Sequence, residues 1–493
     1  MLAVGAIQVL ILLIGLARAK FLSFAIGTEG YGVVGTVDQI VVTMASIGSL
    51  GLPFVALKIL SRHQSESQQE FKRAYAGFFA ALLSLGLLTS AIGAALALVA
   101  PQIFGSQLVP YRFLIAVAIV GVPSLITNIL IANALAGARR GQRAAVFTLL
   151  VQAVLLAGTI AGSMAGGLNG IYAATVAGGS LLTMIAAVVF RSTLGSPIQT
   201  GFSWLFAEIR RERTILTYAF WSYASTAIYA LSLSGVRTSM FSHEGAAAAG
   251  LLAAVMNLAL TVGAVVNPVS SLLLVPHLNR SLPLETKISV ANDFAKRLLA
   301  VVLIISMPLV LFPQLVMKLF FAPSFLPAAS VLFAFVVWQC IAQAVNIPTQ
   351  LLIGLDDFVF ACAATIAGNA LVFLLAPWMV ARMDIRGAAA LLVCGSIVCG
   401  SASLLRIRHR FRTMLARAFF IRLAFALVAI AGSWMLTRTW AETSIVGVVA
   451  RLGYAALVVA LLVRQLAPEE RAWLRRLMSG QAARAALSRS PSV

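Results

Sequence analysis

The chain has 493 residues with a formal net charge of +21; 61% of them are hydrophobic and 10% charged, and its mean hydropathy is +0.99. Soluble domains average about 45–50% apolar and about 25% charged residues, so the composition excludes a secreted disulfide scaffold, a disordered chain and an ordinary cytosolic enzyme. It predicts an all-α polytopic membrane protein.

The predicted transmembrane helices come from apolar windows of about 20 residues, the length that crosses a hydrocarbon core of about 30 Å. Prolines inside several windows do not argue against them, because membrane helices tolerate proline better than soluble helices do. About fourteen spans are predicted, at residues 4–25, 34–59, 74–99, 111–136, 144–166, 168–190, 214–237, 246–275, 298–320, 328–353, 358–380, 387–405, 418–437 and 444–465.

The orientation follows from the basic residues, which concentrate in every second connection, as in the stretches 139–143 and 406–422. The positive-inside rule assigns these connections to the cytoplasm, and with them both termini. The net charge of +21 is then mostly an orientation signal, together with attraction to an anionic inner leaflet. No nucleic acid is expected as a partner, because no basic stretch interleaves with exposed aromatic residues in a soluble module.

This topology gives a first testable prediction. The residues expected on the outer side of the membrane, opposite the cytoplasm, are Glu29, Ser106, Glu244 and Glu442. In a cysteine-free background, a membrane-impermeant thiol reagent added to intact cells should label Ser106→Cys and leave Ser65→Cys unlabelled. The reverse labelling pattern would contradict the assigned orientation.

An internal repeat divides the chain. Glu29-Gly30 matches Glu244-Gly245 at an offset of 215 residues, and Gly170 matches Gly387 at an offset of 217. The interpretation is a 6+6+2 arrangement: two parallel six-helix bundles around a central cavity, followed by a helix pair. Parallel repeats of this kind place a substrate path at their interface, and the two halves rock to give alternating access.

The predicted domain boundaries follow from this repeat. The N-terminal bundle covers residues 1–190 and the C-terminal bundle 214–405, with a cytoplasmic linker at 191–213 between them. A terminal helix pair at 406–466 and a basic cytoplasmic tail at 467–493 complete the chain. The tail pattern favours an interfacial amphipathic helix, with a solvated basic tail as the alternative.

Two patterns that resemble cofactor sites have structural interpretations. The segment Gly30–Gly35 fits the dinucleotide motif G-x-G-x-x-G, but it joins two membrane helices instead of opening a βαβ unit, so it predicts a tight turn and close helix packing. The four cysteines lie in apolar runs with no His or carboxylate beside them, which indicates small core residues. No metal, cofactor or catalytic residue is predicted.

Five of the ionisable residues within or at the ends of the predicted spans are candidates for a functional role. A cation at this depth costs a few kcal/mol unless it faces a wet cavity or a partner, so Arg18, Lys20 and Arg237 are candidate ligands for an anionic group. Snorkelling to the outer headgroups is the alternative. Asp38 is either an ion-pair partner for Arg18 or Lys20, or the carrier of a coupling ion. Lys58 either guards the cytoplasmic mouth or simply flanks its span.

Amide side chains also recur in the predicted spans. Most are expected to hold helices together, at about 0.6–2 kcal/mol each, and a minority to meet sugar hydroxyls in a cavity. They are Asn128, Asn133, Gln152, Asn257, Asn267, Gln339, Gln343, Asn346, Gln350 and Asn369.

Several motifs together resemble a known family. They are Ala17-Arg18-Ala19-Lys20 with the turn at 26–32, the segment Ser49-Leu50-Gly51-Leu52-Pro53, and residues 320–329. The chain is similar in these to the lipid-linked oligosaccharide flippases, the polysaccharide-exporter branch of the multidrug/oligosaccharidyl-lipid/polysaccharide (MOP) superfamily.

This resemblance implies a function. An undecaprenyl-pyrophosphate-linked oligosaccharide would move to the periplasmic leaflet of a bacterial inner membrane, for exopolysaccharide or O-antigen synthesis, through a cationic cavity. Membrane lipids, a polysaccharide polymerase and a chain-length regulator are the implied partners. Coupling to a proton or Na⁺ gradient stays open.

Three alternatives remain beside this function. A multidrug or cation antiporter of the same superfamily would need acidic residues in the cavity, and Asp38 is thin evidence for that. A lipid II flippase would share the pyrophosphate. A membrane glycosyltransferase or polymerase would need a sizeable outer loop carrying reactive side chains, whereas the outer connections here have about ten residues or fewer.

Overall fold

The computed structural model describes residues 2–196, 214–270, 283–442 and 444–465, together with 208, 210, 274 and 278. Within these residues every regular element is a helix. The α-helices are α1 (Leu2–Ala25), α2 (Gly27–Gly48), α3 (Leu52–Glu66), α4 (Gln68–Val99), α5 (Arg112–Ile119), α6 (Val122–Gly137), α7 (Gly141–Val189), α8 (Arg191–Leu194), α9 (Thr214–Val269), α10 (Leu284–Leu311), α11 (Pro313–Phe320), α12 (Ala329–Gly354), α13 (Phe358–Phe411), α14 (Arg417–Thr439) and α15 (Ile445–Gln465). Short 3-10 helices cover Pro101–Phe104, Ser106–Tyr111 and Pro323–Ala328.

The helices are those of a multi-pass membrane protein. Ten of the described helices are long and apolar enough to cross a membrane, or eleven if the bent pair Ser106–Ile119 and Val122–Gly137 forms one span. The all-α prediction is therefore confirmed. The count of fourteen spans requires the bent pair to form one span and each of the three longest helices to form two. That count stays a prediction.

Two of these long helices reverse direction at a break. A straight helix of the 49 residues in α7 would be about 74 Å long, more than twice the hydrocarbon core. Its backbone is not helical at Gly166 and Gly167, and the backbones of Gly162 and Gly170 touch across this point. Asp384 interrupts α13 in the same way. The break in α7 covers the last residue of the predicted span 144–166 and the connection that follows it, and the break in α13 falls in the predicted connection between 380 and 387.

The helix α9 breaks at Gly245, and α2 packs against the part that follows. A side-chain carbon at Gly32 would meet the backbone of Ala246 and Gly250, and one at Gly250 would meet the backbone of Thr28 and Gly32. The two helices therefore make a symmetric contact that only residues without a Cβ permit. Close helix packing at the Gly30–Gly35 segment is thus confirmed.

The contacting residues Gly32 and Gly250 are 218 positions apart in the chain. The repeat offsets of 215 and 217 residues stay a prediction.

Three predicted spans are interrupted in the structure. Span 34–59 is divided because Leu50 and Gly51 adopt left-handed backbone conformations, with φ of 48° and 70°, before α3 begins. Span 298–320 ends early, since α10 stops at Leu311 and the short helix α11 starts at a proline. Span 111–136 is bent between α5 and α6. Apolar windows cannot detect such breaks, because the flanking residues remain hydrophobic.

The helices of each predicted bundle pack against one another. In the first, α1 and α6 pack on α7, and α3 packs on α4 and α6; in the second, α13 packs on α9 and α12, and α10 packs on α12. The terminal helices α14 and α15 pack against α10 and against each other. The bundle boundaries stay a prediction. The tail 467–493 and most of the linker 191–213 lie outside the described residues.

Candidate functional site

A cavity of about 220 Å³ lies where α1, α2 and α9 meet, between the two halves of the chain. Three of the five predicted ionisable residues, Arg18, Asp38 and Arg237, line it. The remaining lining residues are Gly15, Ala19, Leu22, Tyr31, Val34, Gly35, Gln39, Val42 and Asn257.

The Asp38 carboxylate is held on both of its oxygens. Arg18 Nη2 lies 3.2 Å from Asp38 Oδ2, and the Tyr172 hydroxyl donates to Asp38 Oδ1 at 2.9 Å. Arg18 Nε donates in turn to the Thr159 hydroxyl at 2.9 Å. The side chains of this ion pair are 21% and 35% exposed, so both still border the cavity. Asp38 is therefore the partner of Arg18.

The Arg237 side chain extends from α9, in the second half of the chain, to α2 in the first half. It is 8% exposed, and its Nη1 donates to the carbonyl oxygen of Gly35 in α2. Its Nε is buried and has no hydrogen-bond partner in the described part of the chain. A guanidinium carries five N–H donors. Arg237 therefore keeps donor capacity beside the cavity.

The charges of the cavity do not cancel. Arg18 and Arg237 face one acid, Asp38, and the other residues that line the cavity are neutral. A net positive charge in a low-dielectric site attracts anions more strongly than it would in water. Tyr31 and Asn257 add polar groups, with Asn257 Nδ2 donating to the Tyr31 hydroxyl at 2.8 Å. The arrangement suits a small anionic group.

The structure does not bring Lys20 to this cavity. Its exposed side chain donates from Nζ to the carbonyl oxygen of Leu319 at 2.8 Å, in the last turn of α11. Residues two positions apart on a helix point about 200° apart, so Arg18 and Lys20 face different neighbours. The expectation that three cations share one cavity is wrong in this respect, and Lys20 instead satisfies a helix-end carbonyl.

Lys58 lies at another contact between the halves, on the side predicted to be cytoplasmic. Its Nζ is 4.0 Å from the centre of the Tyr218 ring. Tyr218 packs on Phe358 with ring centres 4.8 Å apart, and Phe54 stacks on Phe358 at 5.7 Å. The structure thus places Lys58 beside an aromatic cluster that joins α3 to α9 and α13. Its role as a guard of the mouth stays a prediction.

A second aromatic cluster joins the halves at the opposite, predicted periplasmic side. Tyr31 packs edge-on against Phe321 and Phe325, at ring-centre distances of 5.8 and 5.3 Å. The backbone N–H of Ala322 also donates to the Ser23 hydroxyl at 2.9 Å. The sequence marks this segment by its family resemblance and does not indicate these contacts. Tyr172 and Thr159 were missed, because a lone tyrosine or threonine in an apolar helix carries no positional signal.

Known protein structures share this fold. A structure titled lipid II flippase MurJ in an inward closed conformation aligns with a TM-score of 0.71 and 12% identity, over 97% of this chain and 100% of that one. An inward-facing multidrug resistance MATE transporter of the MOP superfamily aligns at 0.62 and 16%, over 83% and 98%. A MOP superfamily transporter from Pyrococcus furiosus aligns at 0.56 and 14%, over 83% and 95%.

Comparison with protein-family models and with curated proteins gives no match. The three aligned structures carry the names of a flippase and two transporters. The chain therefore has the fold of the MOP-superfamily transporters.

Proposed function

We propose that the protein is a flippase that moves an undecaprenyl-pyrophosphate-linked oligosaccharide from the cytoplasmic to the periplasmic leaflet of a bacterial inner membrane. The substrate would serve exopolysaccharide or O-antigen synthesis, beside a polysaccharide polymerase and a chain-length regulator. Its pyrophosphate binds in the cavity between Arg18 and Arg237.

The observation that carries this proposal is the buried Arg237 guanidinium, which lines the cavity with donors to spare. Planar guanidinium groups bind phosphate oxygens through two parallel N–H donors. With Arg18 across the same cavity, the two guanidiniums present donors from both halves of the chain. An anionic group between them would draw the halves together.

The contacts between the halves support alternating access. The Lys58–Tyr218 and Phe54–Phe358 contacts join them on one side of the cavity, and the Gly32–Gly250 contact joins them on the other. Substrate movement requires one set of contacts to open while the other holds, as rocking of parallel repeats provides.

The paired state of Asp38 bears on the alternatives. An antiporter for organic cations needs a site with net negative charge, whereas Asp38 is paired with Arg18 and Arg237 lines the same cavity. In the proposed mechanism the Arg18–Asp38 ion pair also offers a point of coupling to a proton gradient. Na⁺ coupling stays the alternative.

A lipid II flippase is the second candidate, favoured by the extent of the alignment with the structure of that name. Lipid II and a lipid-linked glycan both contain a pyrophosphate, so the cavity lined by Arg18 and Arg237 suits both. Lipid analysis separates them, because each substrate accumulates in its own chemical form.

Deleting the gene should make undecaprenyl-linked repeat units accumulate on the inner leaflet, with surface polysaccharide lost and lipid II unchanged. Mass spectrometry of the extracted lipids, with a complemented strain as control, measures this. Accumulation of lipid II would support the second candidate. Drug hypersensitivity with normal glycan lipids would overturn both in favour of an antiporter.

A further inference from the structure

A second, larger cavity lies within the second half of the chain. Its volume is about 640 Å³, within the range of about 300–1,000 Å³ that ligand sites occupy. Six of the ten predicted intramembrane amides line it, and we call it the amide cavity: Asn267, Gln339, Gln343, Asn346, Gln350 and Asn369.

Four of these amides form one face of α12. Gln339, Gln343, Asn346 and Gln350 follow the helical spacing of three and four residues, so they point to the same side. A row of amides at membrane depth is costly unless the polar atoms find hydrogen-bond partners. The row therefore needs partners.

The amides satisfy one another poorly. Gln343 Nε2 donates to Gln339 Oε1 at 3.4 Å, and Gln350 Nε2 donates to Asn346 Oδ1 at 3.3 Å, both longer than the usual range for N–H donors. Gln343 is 6% exposed, and its Oε1 has no partner in the portion of the chain that the structure describes. Each primary amide offers two donors and an acceptor. The Gln343 acceptor is therefore unused, whereas Asn369 accepts from the Ser232 hydroxyl and donates to the carbonyl oxygen of Thr365.

The lining of the amide cavity is polar but uncharged. None of its described lining residues is Asp, Glu, Lys or Arg, and hydroxyls such as those of Thr349 and Ser396 accompany the amides. Groups that both donate and accept hydrogen bonds suit sugar hydroxyls, which do the same. Trp338 adds an aromatic surface for the apolar side of a sugar ring. A neutral, hydroxyl-rich ligand fits this chemistry.

The two cavities share a helix. Asn257 lines the cavity that contains Arg18 and Arg237, and Asn267 lines the amide cavity. Both asparagines lie on the part of α9 that follows Gly245. Ten residues of helix correspond to about 15 Å along its axis. An elongated ligand whose anionic and neutral parts are about 15 Å apart matches this separation.

We propose that the amide cavity binds the uncharged sugar residues of the lipid-linked substrate while Arg18 and Arg237 bind its pyrophosphate. This inference rests on the proposed function and adds a separate sugar site to it. Specificity for the glycan would then arise in the second half of the chain, away from the charged groups.

The test measures binding of two probes to the purified full chain in lipid nanodiscs. One probe is undecaprenyl pyrophosphate without sugar, and the other is the lipid-linked glycan extracted from the deletion strain. Gln343→Leu should weaken binding of the glycan lipid by about fivefold to tenfold, as the loss of one net hydrogen bond predicts, and leave the sugar-free lipid unaffected. Asn346→Ala, at a less buried position, gives an independent second variant.

Two controls complete the design. Gln152→Leu removes an intramembrane amide that does not line the cavity and should bind both probes like the wild type. Arg237→Gln should weaken both probes. Equal weakening of both probes by the amide variants, or wild-type binding of the glycan lipid by both, would overturn the sugar site and leave the flippase standing. A wild type that binds neither probe would overturn the proposed function, and the sugar site with it.

Discussion

Arg237→Gln should lower export of the lipid-linked glycan by about tenfold to a hundredfold at matched protein level, because a hydrogen bond to a charged group contributes about 1.5–3 kcal/mol. The substitution keeps a polar side chain and removes the charge that the cavity presents to a pyrophosphate. Export is measured as surface polysaccharide in the complemented deletion strain. Arg237→Lys should retain part of the activity, since it keeps the charge but not the planar donors.

Lys20→Gln is the matched control, since Lys20 donates to the Leu319 carbonyl outside the cavity and an amide can do the same. Its export should stay near the wild-type level. If Arg237→Gln and Arg18→Gln also export normally, their side chains only satisfy local groups, and the cationic-cavity mechanism fails. The transporter fold would still hold.

Arg18 needs a different design, because its removal leaves the Asp38 carboxylate without its ion-pair partner. A buried charge that loses its partner is itself destabilising. The double variant Arg18→Gln with Asp38→Asn removes both charges. If Arg18 binds substrate, export stays low in the double variant. Recovery of export there would show that Arg18 serves only to neutralise Asp38.

The sequence predicts the helices well because each apolar window reflects the hydrocarbon core that surrounds a membrane helix. It also places the reversals near Gly166 and Asp384 at or next to predicted connections. It fails at the break before α3, where Leu50 and Gly51 adopt left-handed backbone conformations. A window average does not respond to one residue's conformation.

The candidate site shows a similar limit. Hydropathy identifies Arg18, Lys20 and Arg237 as unusual, but the helix face on which each one lies decides its neighbours. The first helix is apolar on nearly all sides, so its sequence does not show which side meets the cavity. Helical spacing places Arg18 and Lys20 on different faces, and the folded chain shows that the Arg18 face is the one that meets the cavity.

The amides of α12 share a helical spacing that is visible in the sequence and predicts a polar face inside the membrane. The expectation that most amides hold helices together does not describe Gln339 and Gln343, which bond within one helix. Such bonds do not hold two helices together, which leaves the polar face available to a ligand.

Gly32→Ala should cause a large loss of stability, since the added carbon overlaps the backbone of Ala246 and Gly250. Overpacking a tight contact costs about 1–3 kcal/mol, and here the overlap is with backbone atoms, which cannot rotate away as a side chain can. Gly250→Ala meets the symmetric obstacle on the other helix and should behave alike. Thermal unfolding of the purified protein in detergent measures the loss, and export should fall with it.

Gly453→Ala is the control for these variants, because a carbon added there meets nothing within 4 Å. Alanine also favours a helix over glycine by about 1 kcal/mol, so this variant should unfold at or slightly above the wild-type temperature. The comparison isolates steric overlap from helix propensity. Wild-type unfolding temperatures for both Gly32→Ala and Gly250→Ala would mean that α2 and α9 do not touch in the resting protein. Another contact would then have to join the two halves on the side of the cavity opposite Lys58.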